Sequence, residues 1–173
     1  PGGGFTVQVS AGRRSHPEAT EPGDQTRQTA SIEYARARPG GFLAAALILG
    51  RNRLAEGPEN GNGLEATWKF RERHILYGRA ESVDRDRYEL LNRTQRPGTV
   101  PPDRTIVRAF TAGYVRTLPL LEEAETGLGA GVTLYRFDSD LDSVYGSGPI
   151  SFQVFLRFGL GAHGGMDHAL MHN

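Results

Sequence analysis

"LEATWKFRERHILYGRAESVDRDRYELL", residues 64–91, is the stretch whose reading decides the fold. Its first seven residues alternate: Leu64, Ala66, Trp68 and Phe70 against Glu65, Thr67 and Lys69. After the polar "RER" (71–73) the alternation resumes, with Leu76, Gly78 and Ala80 opposite Tyr77, Arg79 and Glu81. A side-chain period of two is that of a β-strand, because successive Cβ atoms point to opposite faces. Two such runs about a three-residue polar break read as an antiparallel hairpin.

The same pattern extends in both directions. Upstream are "FTVQVSAG" (5–12), "TASIEYARAR" (29–38) and "FLAAALILG" (42–50), the last apolar on both faces. Downstream, "TIVRAFTAGYVRTLPLL" (105–121) sets Val107, Ala109, Thr111, Gly113 and Val115 against Ile106, Arg108, Phe110, Tyr114 and Arg116. "EAETGLGAGVTLYRF" (123–137) follows, then "ISFQVFLRF" (150–158), with Phe152, Val154, Leu156 and Phe158 on one side. No long run has apolar residues at helical spacing. The sequence therefore predicts an all-β chain of eight strands.

Connection lengths alternate. Long segments at 12–28, 52–63, 92–104 and 138–149 are interleaved with short ones at 39–41, 71–73 and 119–122. Such parity belongs to an up-and-down meander with functional loops at one end and tight turns at the other. Eight strands with two bare edges invite aggregation, so the sheet is expected to close into a barrel. A closed eight-stranded barrel has an interior filled by side chains. The inward set is read as Glu33, Glu65, Lys69, Arg79, Glu81, Arg108 and Glu125, a mixed-sign network in which no buried charge stands alone. The outward set is apolar, with Trp68, Phe70, Phe152 and Phe158 as interface girdle residues. The alternative is a soluble ligand-binding barrel with its apolar face inside. Paired charges and Gly127, Gly129 and Gly131 on the inner face favour the first orientation.

Composition sets outer bounds. The 173 residues suffice for one domain, and the formal net charge is zero, so overall charge draws the chain to neither nucleic acid nor an anionic surface. There is no cysteine, which excludes disulfides and thiolate chemistry. No run of 18 apolar residues is present, so no transmembrane helix is expected. A chain opening on Pro1 reads as a mature form or a segment.

The hairpin at 64–91 and the final "ISFQVFLRF" resemble bacterial outer-membrane β-barrels, the latter like their C-terminal sorting strand, alternating and closing on Phe158. The resemblance spans about residues 5 to 160, and the group it suggests carries Met/His-rich tails, some linked to copper handling. It implies an outer-membrane-type barrel, a lipid-bilayer partner and an outer-membrane or extracellular location in a Gram-negative bacterium. One departure is that residues continue past Phe158. The chain divides into a barrel domain (1–161) and a Met/His-rich tail (162–173).

That tail, "AHGGMDHALMHN", carries His163, Met166, His168, Met171 and His172. Imidazole with thioether suits copper, Met favouring Cu(I). Other candidates are weaker. "DSDLD" (138–142) has the alternating carboxylates of a calcium loop, but Ser143 and Pro149 stand where glycine and glutamate are needed. "GLGAG" (127–131) lacks the strand–turn–helix context of a dinucleotide site, and its glycines read as close backbone approach. His16 and His74 fall at opposite barrel ends with no nucleophile beside them, so no enzyme is expected. The leading expectation is a non-enzymatic structural barrel whose ordered termini mediate self-association, as a homo-oligomer or a homopolymeric filament or tube. A copper-handling outer-membrane barrel is the second.

Overall fold

The computed structural model describes residues 3–15, 24–54, 57–91, 103–121 and 124–160. Eight strands run β1 (Gly3–Arg14), β2 (Gln25–Arg38), β3 (Gly41–Leu54), β4 (Gly57–Phe70), β5 (His74–Asp86), β6 (Arg104–Leu121), β7 (Ala124–Arg136) and β8 (Ile150–Leu160). They form one sheet in chain order, and every neighbouring pair is antiparallel. Among the described residues β1 and β8 are the two edges; the sheet is open rather than closed into a barrel.

Register fixes both faces across the whole sheet, because directly opposed residues in an antiparallel ladder share a face. One row reads Val7, Ile32, Leu47, Leu64, Ala80, Phe110, Leu134, Ile150 from β1 to β8, apolar at every position. The row one residue over, on the opposite face, reads Thr6, Glu33, Ala46, Glu65, Arg79, Thr111, Thr133, Ser151. This resolves β3, whose apolar run hides the alternation: opposite Glu33 and Glu65, Ala46 belongs to the polar face.

Along β4, β6 and β7 the polar face is the more sheltered one. Along β4, Glu59, Gly61, Gly63, Glu65, Thr67 and Lys69 are half-buried, whereas Asn60, Asn62, Leu64, Ala66 and Trp68 between them are exposed. Only Ile75, Val115 and Leu141 are buried hydrophobic residues among those described. All but four of the exposed large hydrophobic residues (Phe42, Ile48, Val144 and Tyr145) lie on the apolar face, with Phe152 80% and Phe5 75% exposed. A soluble protein does the reverse.

The structure changes three expectations. The long connection at 52–63 is strand: β3 runs to Leu54 and β4 starts at Gly57, with Arg53 opposite Pro58. Backbone pairing continues there after the apolar alternation has ended. The extended hairpin is held from the side, since Asp84 accepts from the Asn60 backbone N–H and side-chain amide at 2.9 Å, and Arg104 donates to the carbonyls of Gly57 and Pro58. The run 74–91 is not one strand; β5 ends at Asp86 and a helical turn, α1 (Arg87–Leu90), follows. The last long connection also folds, into a 3-10 turn (Ser139–Leu141) and a helical turn, α2 (Asp142–Tyr145).

Candidate functional site: a sheltered polar face and two ends

On the polar face Arg79 is the centre of a charge cluster. It donates to Glu81 at 2.6 Å and lies 3.2 Å from Glu65, the residue opposite it on β4. Next along the same row, Thr111 and Thr133 share a 2.8 Å hydrogen bond. These charged side chains are partly exposed, so solvent screens the pairs. Glu33 stands in the row of Glu65, opposite Thr6 and Ala46, and Lys69 stands between Phe42 and Ile75. Glu125 is opposite Gly159 in backbone register.

Arg108 departs from the expected network. It pairs with Ser82 and Arg136 in the row next to Phe110, so it lies on the apolar face, toward the long-connection end. Its neighbours Ile106 and Phe110 share that face by the period of two. Arg108 is exposed and its row partners are the polar Ser82 and Arg136, so its charge stays solvated.

Glycine explains another part of this face. Tyr77, Gly113, Gly131 and Gln153 form one row from β5 to β8. The tyrosine ring lies flat over Gly113, where a Cβ would collide with it, and its hydroxyl accepts from the Gln153 amide at 3.0 Å beyond Gly131. Phe155 likewise lies over Gly129, its partner across β7 and β8. The period-two glycines of β7 thus make a floor for aromatic rings, as close approach required. The glycines are visible in sequence; their aromatic partners, set by register, are not.

At the long-connection end a cap folds over the sheltered face. Leu141 is fully buried, and with Val107, Tyr135, Leu90, Phe137, Tyr145 and Pro149 it lines an apolar cleft of 310 Å³. Arg87 pins the cap: it donates to Asp140 at 2.5 Å and to Asp138 at 3.0 Å, and lies 3.6 Å from Asp103. Asp138 also accepts from Thr105 at 2.8 Å. Two carboxylates of "DSDLD" are therefore engaged by an arginine. Among the described residues no cluster of His, Asp and Glu could hold a metal ion.

At the short-turn end, on the apolar face, Trp68, Phe70, His74 and Tyr114 stack in sequence with ring centroids 4.7, 5.2 and 5.9 Å apart. His74 Nδ1 and the Tyr114 hydroxyl are 2.6 Å apart. His74 is thus built into an aromatic belt. The expected metal set (His163, Met166, His168, Met171 and His172), together with His16 and Pro1, lies outside the described residues.

The chain matches no protein-family model, no curated protein and no solved structure. No helix among the described residues is long and apolar enough to cross a membrane, which leaves strands untested by that criterion.

Proposed function

We propose that this chain forms the lipid-facing wall of an outer-membrane-type β-barrel and that its role is structural rather than enzymatic. The observation carrying this reading is the inverted sheet: a continuous apolar row from Val7 to Ile150 on the more exposed face, with Glu65, Arg79 and Glu81 on the sheltered one. Among the described residues nothing covers that face, and in water each large side chain left uncovered costs roughly 1.5–3 kcal/mol. In a bilayer it is the stable arrangement. The apolar positions of β8 run from Ile150 to Phe158; strands of this length tilted by about 40° cover roughly the 25 Å of an apolar membrane band. A soluble ligand-binding barrel would need Glu65, Lys69 and Arg79 on its outer surface.

Closure is part of the proposal. An even number of up-and-down strands makes β1 and β8 antiparallel, so their backbones are competent to pair. Such pairing puts Val7 and Val9 beside Leu156 and Phe158 on the outside. Two open edges also favour a second reading, in which β8 of one copy pairs with β1 of the next; that head-to-tail contact gives a larger ring or a filament.

Because the chain has no cysteine, cysteine pairs report closure directly. The variants V9C/L156C and V9C/F158C would be refolded from urea into phosphatidylcholine vesicles and oxidised. Closure predicts an intramolecular disulfide in a monomeric species. Ladders of cross-linked copies would favour head-to-tail association. No folding in vesicles, with folding in plain buffer, would sink the membrane reading.

A further inference from the structure

We infer that the turn end formed by the β2–β3 and β4–β5 hairpins binds the anionic headgroup of a membrane phospholipid; the inference rests on the membrane reading above. A cleft of 490 Å³ lies there, lined by Arg38, Pro39, Trp68, Lys69, Phe70 and Arg71. The two turns are tied together, the Glu72 backbone N–H donating to the Gly40 carbonyl at 2.7 Å. The adjoining strand β6 is tied in as well, through Thr117 N–H to the Arg73 carbonyl at 2.8 Å. The platform is therefore built from backbone hydrogen bonds and does not depend on its arginine side chains.

Charge and chemistry select the ligand. Between Pro39 and Gly40 on one turn and Arg71, Glu72 and Arg73 on the other, Glu72 is the one acid, and Arg38 and Lys69 flank it. The basic excess is local, since the third turn carries Glu122 and Glu123 in its sequence. Guanidinium groups present paired donors that match a phosphate. Trp68 and Phe70, 4.7 Å apart on the apolar face, are the aromatic pair that sits at headgroup level in a bilayer. Arg71 and Glu72 hold φ of 47° and 61°, left-handed values where a hairpin ordinarily uses glycine or asparagine. That backbone carries a cation at the tip nonetheless. A phosphate at the cleft mouth would leave its acyl chains running along the strands over the apolar face, past Leu43 and Leu47 on β3 and Trp68 and Leu64 on β4.

Trp68 is the only tryptophan of the chain, so its fluorescence reports this site alone. The full chain would be refolded into phosphatidylcholine vesicles containing brominated phosphatidylglycerol or brominated phosphatidylcholine at equal mole fraction. The expected result is preferential quenching by the anionic lipid, by about fivefold in relative affinity for each cation engaged at low salt. Arg38→Gln with Arg71→Gln should remove most of the preference, leaving at most the share of Lys69, while Arg51→Gln with Arg53→Gln, at the opposite end of β3, should leave the preference intact. Equal quenching of the unaltered chain by both lipids overturns the headgroup site and leaves the membrane reading standing. Quenching by neither overturns both. A preference that survives the Arg38/Arg71 changes in full, or that the Arg51/Arg53 changes abolish, overturns the assignment to this cleft.

Discussion

The two faces of this sheet are made by the same backbone and obey opposite rules. Among the described residues the apolar face has almost no side-chain hydrogen bonding in its central rows, and Val7, Ile32, Leu47, Leu64, Ala80, Phe110, Leu134 and Ile150 form one unbroken row across it. The polar face is laced side chain to side chain: Arg79 with Glu65 and Glu81, Thr111 with Thr133, Tyr77 with Gln153. Central rows that make almost only non-directional contacts are what the proposed lipid partner would require. A face whose groups hydrogen-bond one another suits an enclosed space, where unpaired polar atoms are costly. The contrast separates the two faces by their chemistry, which is what the proposed membrane wall requires.

Adjacent residues of β3 give the sharpest way to break that contrast. Leu47 sits in the middle of the apolar row and Ala46, beside it, sits between Glu33 and Glu65 on the polar face. Leu47→Lys should destabilise the chain in vesicles by roughly 2–4 kcal/mol, the penalty of a cation near the bilayer midplane. Ala46→Lys places the same charge between two carboxylates and should change stability by less than about 1 kcal/mol. Urea titrations of vesicle-folded protein measure both. Equal losses would mean that the faces are not distinct; the reverse order would restore the soluble barrel.

A smaller effect tests the polar face alone. A Cβ at Gly113 would run into the Tyr77 ring, whereas one at Gly63, on the same face, meets nothing within 4 Å. Gly113→Ala should cost about 1–3 kcal/mol through overpacking, and Gly63→Ala should be near neutral. Tyr77→Ala should remove most of the Gly113→Ala penalty, and the cycle of single and double variants reads that coupling. Penalties that simply add would place the ring somewhere other than over Gly113.

Much of this was legible in the sequence because period-two alternation survives in seven of the eight runs, and it assigns Leu64, Glu65 and Trp68 to their faces without any structure. β3 was not legible: eight apolar residues in a row, Phe42 to Leu49, carry no parity, and only the register with Glu33 and Glu65 supplies it. Arg108 lies on the other face from the expected network because its position between Ile106 and Phe110, not its charge, sets its side. The segment 52–63 was misread because glycine, asparagine and proline there resemble a loop, whereas the ladder needs only backbone and lateral support from Asp84 and Arg104. The cap was beyond reach, since Arg87 meets Asp138 and Asp140 some fifty residues away. Of the expected charge network, Glu65, Arg79 and Glu81 come together, while Glu33 and Lys69 share the face.

The smallest effect on the fold belongs to the Met/His tail. Removing residues 162–173 should leave the urea midpoint unchanged, because every strand among the described residues, the Arg79 cluster and the Arg87 cap lie before Gly161. Metal binding should respond differently. Met166 and Met171 are the only methionines and no cysteine is present, so soft-ligand affinity has no other source in the chain. Calorimetric titration with Cu(I) should show binding by the full chain and none by a chain ending at Gly161. His74, the one histidine between Pro17 and Gly161, is occupied with Phe70 and Tyr114 and offers a single imidazole. Identical Cu(I) isotherms for the two chains would remove copper from the account and leave the two faces of the sheet as the whole of the functional evidence.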